Sequence, residues 1–152
     1  MVLNDVLTKQ NLITKLLLKD GDKELSKALK VKIMRIRMAY NKIKQQLESD
    51  TQEFTKDLVT EEAQNLVNKK DRTEEENKRL EELEANFNSE YQEFLEQKGN
   101  EEINLSVDDS FTLDEYSDIL DVNSGNDVDI NNQNIPAVDF MEIIYNFFVK
   151  ED

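Results

Sequence analysis

The sequence has 152 residues, a formal net charge of −15, and neither histidine nor cysteine. The absence of both excludes disulfides and thiol chemistry, and it removes the most common general base and two of the usual metal ligands. With three glycines, one proline and 35% charged residues, the composition is typical of a helical protein with large solvated faces. We therefore expect a protein that is not an enzyme, with no catalytic, cofactor-binding or metal-binding residues and no small-molecule substrate.

The N-terminal third predicts two helices separated by a turn. Residues 5–19 have one apolar side, and Gly21 is a suitable stop because glycine adopts positive φ at little cost. A longer helix begins near residue 23, and its apolar residues recur at the spacing of a heptad seam. This helix either breaks at residues 49–51 or continues to residue 58.

The middle of the chain predicts a second long helix. Thr73 and Glu76 have the spacing of a capping box, in which each side chain satisfies a free backbone N–H of the other residue. A helix over residues 74–97 follows, with apolar residues three and four apart, and Gly99 ends it. Antiparallel pairing of the two long helices would bury both seams in a helical hairpin.

The C-terminal third differs from the rest in its pattern of apolar residues and in its content of turn-forming residues. Residues 102–107 alternate between polar and apolar, which indicates a short strand, and Thr112 opens a short helix with a second capping box. Residues 121–134 are polar and rich in turn formers, so they are predicted to form a mobile loop. Residues 143–149 are apolar on nearly all sides, and periodicity does not decide between helix and strand.

The predicted fold class is therefore mainly α, a long antiparallel helical hairpin with a short N-terminal helix and a small α+β C-terminal appendix. The predicted division is into residues 1–99, the hairpin with its N-terminal helix, and residues 100–152, a small acidic subdomain that contains the loop 121–134. No internal repeat of fixed period is visible. The N-terminus lacks the features of a signal peptide and the longest apolar cluster is too short to cross a bilayer, so we expect no secretion and no membrane partner.

Charge is distributed unevenly along the chain. Residues 1–47 hold 11 basic and 4 acidic residues, a net of +7, whereas residues 48–99 have a net of −9 and residues 100–152 a net of −13. The segment KALKVKIMRIRMAYNKIKQQL, residues 27–47, carries seven basic residues and no acidic one. Such asymmetry indicates an interaction surface or an internal pairing of charges.

A helical wheel divides this basic segment into two apolar faces separated by two basic stripes. Opposite the heptad seam, Val31, Met34 and Met38 form a second, smaller apolar strip. Methionine is an adaptable packing residue that is common at binding surfaces. Either the N-terminal helix or another subunit would have to cover this strip. The predicted partner-binding residues are Val31, Met34, Met38, Lys30, Arg35, Arg37, Lys42 and Lys44.

Three roles for these basic residues can be compared. They could pair within the chain, with the acidic residues Glu81, Glu84, Glu90 and Glu93 of the 74–97 helix. They could instead bind a protein partner, which includes a second copy of the chain. Nucleic acid is not expected, because the residues outside 1–47 carry a net of −22 that would repel a phosphate backbone.

The order of these segments also resembles a known family. A Lys-rich helix, KVKIMRIRMAYNKIK, is followed by a Glu-rich helix ending FNSEYQEFLEQKG, then EEINLSVDD and the apolar DFMEIIYNFFVKED. This layout resembles the small acidic helical accessory and structural proteins of tailed bacteriophages, a family of uncharacterised function, and the residue usage is similar to that of crAss-like phages. The resemblance implies a non-enzymatic virion component, such as a ring, connector or packaged protein, or an assembly factor, located in the virion or the host cytoplasm.

A second class of function follows from the acidic residues alone. Carboxylates spaced along a helix can imitate a row of phosphates. The alternative hypothesis is therefore an acidic DNA mimic that inhibits a host defence protein.

Overall fold

A computed structural model describes residues 1–151. Over that range the chain is mainly α-helical, as the sequence predicts, with two small antiparallel strand pairs. In chain order the elements are α1 (Leu3–Ile13), β1 (Lys19–Asp20), β2 (Lys23–Glu24), α2 (Lys27–Leu58), α3 (Glu61–Asn68), α4 (Glu74–Gly99), α5 (Leu113–Asn123), β3 (Val128–Ile130), β4 (Gln133–Ile135) and α6 (Ala137–Phe148).

The helix boundaries follow from their capping residues. The two predicted capping boxes are confirmed, since the hydroxyls of Thr73 and Thr112 each accept from the backbone N–H three residues later, and the backbone N–H of each threonine donates to the glutamate carboxylate at that position. Ser26 caps α2, which begins slightly later than predicted and runs without a break to Leu58. Its 32 residues make a rod about 48 Å long at the usual rise of an α-helix.

Two further segments differ from the sequence predictions. Residues 102–107 are not a strand, because only Glu102 makes an isolated bridge, with Val2. The segment 143–149 is helical through Phe148, and Val149 then forms a single parallel bridge with Phe111. The first bridge ties the N-terminal end of the chain, and the second the C-terminal end, to the segment between α4 and α5.

The segment 121–134, predicted to be a loop, instead contains β3 and most of β4 joined by a tight turn. Asn131 and Asn132 have φ values of 51° and 65°, the left-handed conformation that asparagine tolerates better than most residues. Val128, Ile130 and Ile135 pack against the core. The polar residues between them are the outward side of a hairpin.

This hairpin completes a second copy of an arrangement already present at the N-terminus. α1, β1, β2 and α2 form a helix–hairpin–helix unit, and α5, β3, β4 and α6 form another. Leu3 and Leu113, which begin the first helices, are 110 residues apart, as are Lys27 and Ala137, which begin the second helices. The repeat is not visible in the sequence because few residues at this offset are alike. In the first unit Gly21, with a φ of 61°, takes the turn position that asparagine takes in the second.

The two units pack against each other and form what we call the body. Its core combines buried residues of α1, the first half of α2, α5 and α6, together with Phe111. The predicted boundary after residue 99 stays a prediction, although buried residues from both sides of it belong to this one cluster. The largest fully buried side chains are Tyr40, Phe111, Phe140, Phe148, Ile13, Ile33 and Ile36.

The rest of the chain, residues 47–99, projects from the body as what we call the arm. The second half of α2 runs antiparallel to α4, because Asp50 pairs with Lys98 at 3.3 Å and, one turn further, Phe54 stacks on Phe94 with ring centroids 4.2 Å apart. At the far end the short helix α3 packs back on α4. The arm is a helical hairpin, as the sequence predicts, but only the second half of α2 takes part in it, because the seam residues Leu29 to Tyr40 are buried in the body.

Candidate protein-binding surface

The outer face of α2 in the body carries the apolar strip, Val31, Met34 and Met38. Leu29, Ile33, Ile36 and Tyr40 turn inward and are buried in the core, which fixes the rotation of the helix. The strip therefore faces outward, and its side chains are 38%, 51% and 68% exposed in chain order. α1 does not cover it, so the first of the two predicted covers is absent.

Two of the predicted partner-binding cations have internal roles. Lys30 forms an ion pair with Glu24 at the end of β2. The Arg37 guanidinium donates to the carbonyl of Ile13, at 3.1 and 3.2 Å, which also accepts from the Leu16 N–H, and to the carbonyl of Leu16, at 2.6 Å, just after the end of α1. Burial lowers the pKa of Arg37. These two side chains position α1 and the first hairpin on α2.

Three other cations beside the strip stay available. Arg35, Lys42 and Lys44 are exposed, and none of them forms an ion pair within residues 1–151. Together with the strip they form what we call the basic surface: Val31, Met34, Met38, Arg35, Lys42 and Lys44. It is the part of the predicted site that is both exposed and unpaired.

The predicted pairing of these cations with the α4 glutamates is wrong. α4 meets α2 only beyond Leu47, because its C-terminal end lies beside Asp50, whereas the basic segment lies in the body. The ion pair that joins the two helices, Asp50–Lys98, has the opposite polarity to the one expected. In the described residues, Glu81, Glu84, Glu90 and Glu93 are exposed and form no ion pair.

A second candidate surface lies at the far end of the arm, where α3 leans on α4. There a cleft of about 460 Å³, which we call the arm cleft, opens between the end of α2, α3 and α4. Two carboxylate residues, Glu84 and Glu90, also line it. The apolar lining includes Leu58, Val59, Ala63, Val67, Leu83 and Phe87.

The arm cleft was not predicted from the sequence. Part of the signal was present, since Ala63 and Val67 are four residues apart and so share one face of α3, with Val59 in the turn before it. Val59 and Val67 are nonetheless 41% and 58% exposed. What periodicity does not give is the angle at which α3 meets α4.

A buried polar cluster inside the body has a structural role. The Tyr40 hydroxyl donates to Asp109 at 2.5 Å, and the Lys9 ammonium pairs with the same carboxylate at 3.1 Å. Burial and then the Asp109 carboxylate raise the pKa of Tyr40, so its hydroxyl stays protonated as a donor. Lys9 is also stacked over the ring of Phe148, 5.4 Å from its centroid. The cluster ties α1, α2 and the segment before α5 together.

Within residues 1–151 no helix combines the length and the apolar character needed to cross a membrane. The same residues contain no group of three or more aspartates and glutamates disposed to hold a metal ion. No protein-family model, curated protein or solved structure shows significant similarity to this chain.

Proposed function

We propose that this chain is a non-enzymatic virion or assembly protein of a tailed bacteriophage, acting through helix-mediated protein–protein contacts in the virion or the host cytoplasm. The observation that carries the proposal is the exposed strip on α2. Three apolar side chains lie in a row on a helix whose opposite face is firmly packed in the core. Rigid helical elements that present adaptable methionines are a common form of protein-binding surface.

The cations beside the strip support the same proposal. Charged groups at the rim of an interface orient the partner and speed its association more than they add affinity. Arg35, Lys42 and Lys44 are placed for that role, because each is exposed and unpaired within the described residues. The lack of histidine and cysteine in the whole sequence favours a role in binding over one in catalysis.

The test is incorporation into particles of the phage that carries the gene. The strip variant combines Met34→Glu and Met38→Glu, and it should fold normally because both side chains are more than half exposed. We expect it to lower the amount of the chain in purified particles or assembly intermediates by at least about tenfold, as the loss of a buried apolar contact would.

The matched control combines Gln92→Glu and Gln97→Glu, which adds the same charge at exposed positions of α4. It should leave incorporation unchanged. Equal incorporation of the strip variant and the wild-type chain, measured by mass spectrometry of the particles, would contradict the proposal.

A second candidate function, an acidic DNA mimic that inhibits a host defence protein, is favoured by a separate observation. Glu81 and Glu93 are exposed on α4 and have no cation partner within the described residues. For this function, replacing both by lysine should abolish competition with DNA for a basic nuclease, and the strip variant should not. Wild-type competition should weaken with salt, because it depends on screened charges. No competition at low salt would dismiss this candidate.

A further inference from the structure

The basic surface and the arm cleft are complementary in shape. The strip is a convex row of apolar side chains on one side of a helix, and methionine is flexible enough to fit an irregular recess. The arm cleft is concave and lined mainly by aliphatic side chains, with Phe87 on one wall. The convex apolar strip therefore fits the concave apolar cleft.

The two surfaces are also complementary in charge. Glu84 and Glu90 line the arm cleft, and neither carboxylate has a cation within ion-pair distance in residues 1–151. Arg35 and Lys42 lie beside the strip and Lys44 lies between the strip and the seam, and all three are equally unpaired within residues 1–151. A strip seated in the cleft would bring these opposite charges to the same rim, where such pairs fix orientation.

The walls of the arm cleft are held in place by the chain itself. Arg79 on α4 donates to both carboxylate oxygens of Glu62 on α3, at 2.7 and 3.2 Å. Arg72 donates to the carbonyls of Leu66 and Val67 at the end of α3, at 3.0 and 3.4 Å. A recess that exists before binding costs less conformational entropy when it is filled.

One chain cannot join its own two surfaces. Met38 and Leu58 lie on the same unbroken helix, twenty residues and therefore about 30 Å apart. A contact between strip and strip is also disfavoured, because it would bring Arg35, Lys42 and Lys44 of two copies face to face. A contact between the strip of one copy and the cleft of another is limited neither by the distance within one helix nor by repulsion between like charges.

We propose that the strip of one copy seats in the arm cleft of a second copy, an inference that rests on the proposed function of the strip as a contact surface. In such a pair, the copy that has used its strip keeps a free cleft, and the copy that has used its cleft keeps a free strip. Such head-to-tail contacts close into a ring if the rotation between copies permits and otherwise extend into a filament. The partner of the basic surface is thus a second molecule of the same chain.

The experiment compares three proteins by sedimentation velocity over a range of concentrations. These are the wild-type chain, the strip variant Met34→Glu with Met38→Glu, and a cleft variant that combines Val59→Glu and Val67→Glu. The cleft substitutions are at exposed positions and add negative charge beside Glu84 and Glu90. Circular dichroism and thermal unfolding establish that both variants fold.

We expect the wild-type chain to form oligomers that dissociate at high salt, and each variant alone to bind itself at least about tenfold more weakly. The decisive sample is the equimolar mixture of the two variants. The strip variant retains an intact cleft and the cleft variant an intact strip, so the mixture should form a one-to-one dimer and grow no further. The Gln92→Glu, Gln97→Glu control should assemble like the wild-type chain.

A wild-type chain that stays monomeric, or a mixture that does not associate, overturns the head-to-tail contact. Neither result bears on the proposed function, since incorporation of the strip variant into particles is measured separately. If the strip variant is not incorporated and the wild-type chain does not self-associate, the partner of the strip is a different virion protein. A strip variant that enters particles and also self-associates like the wild-type chain would overturn the inference and the proposed function together.

Discussion

The body and the arm share the helix α2 but bury very different amounts of it. In the body, α2 contributes four core residues that are at most 4% exposed, and beyond Ile43 it contributes none. α4, which forms the other side of the arm, has only Leu80 and Gly99 buried. Most of the apolar burial that drives folding therefore lies in the body. The arm is a half-buried hairpin, and its far end is free to carry a recess for a partner.

The largest expected difference between the two regions concerns buried aromatic rings. Phe140→Ala removes a fully buried side chain from the body and should lower the free energy of unfolding by about 3–5 kcal/mol. Phe94→Ala breaks the stack with Phe54 in the arm, but Phe94 is only half-buried, so the cost should be about 1–2 kcal/mol. Urea unfolding of both variants measures the difference, and equal costs would remove the distinction between body and arm.

The next largest effect is expected where the two helix–hairpin–helix units of the body meet. The buried Asn123 accepts from the Leu17 backbone N–H at 2.8 Å and donates to the carbonyls of Leu17 and Ile119, at 3.1 and 2.8 Å. Asn123→Ala leaves the partly buried N–H and carbonyl of Leu17 without this partner and should cost about 2 kcal/mol. Asn126 also joins the units, through Asp20, but it is exposed.

Asn126→Ala is therefore the matched control and should cost less than about 0.5 kcal/mol. Similar unfolding midpoints for the two variants would show that burial at this junction has little effect on stability.

Local signals in the sequence were sufficient for much of this fold. The capping boxes at Thr73 and Thr112 predicted the starts of α4 and α5 correctly, because a cap depends on residues only three apart. The wheel of α2 separated the buried seam from the outward strip, because both follow the period of a single helix.

Features that depend on packing between elements were not predictable in the same way. Residues 121–134 contain a hairpin whose turn requires positive φ at Asn131 and Asn132. The composition of the segment permits this conformation but does not demand it. The role of Arg37 as the partner of the α1 carbonyls depends on where α1 ends relative to α2. The arm cleft depends on the angle between two helices, for which a sequence has no periodic signal.

A smaller effect, confined to the body, is expected at the ion pair between Lys32 and Glu115, whose charged atoms are 2.8 Å apart. Burial acts to raise the pKa of Glu115, but Lys32 and the Thr112 backbone outweigh it, and the net pKa is lowered from 4.5. The stabilisation by the charged form is therefore present above about pH 4.5 and is lost as the pH falls through the lower pKa of the folded state.

Glu115→Gln retains an acceptor for the capping bond but removes the charge. It should lower the free energy of unfolding by about 0.5 kcal/mol at pH 7, and the difference from the wild-type chain should shrink as the pH falls below about 4.5. A difference that is independent of pH would mean that side-chain shape, and not charge, is responsible.

The smallest expected effect lies at Gly99, where the arm rejoins the body. Gly99 was predicted to end α4, and it is the last residue of the helix, followed by the cap Asn100. A Cβ at this position would approach the side-chain amide of Asn4 in α1 to 2.5 Å. The Asn4 side chain is exposed and makes no hydrogen bond of its own in the described residues, so it can rotate away.

Because alanine is favoured over glycine in a helix by up to about 1 kcal/mol, Gly99→Ala should be neutral or slightly stabilising in thermal unfolding. A loss of more than about 1 kcal/mol would mean that the Asn4 side chain cannot move and that the junction is as tightly packed as the core. In that case, adding Asn4→Ala should restore stability, because it removes the atoms that the new Cβ meets. If the double variant is also destabilised, the strain lies in the backbone where α1 crosses the end of α4, and the arm is more firmly joined to the body than its half-buried seam indicates.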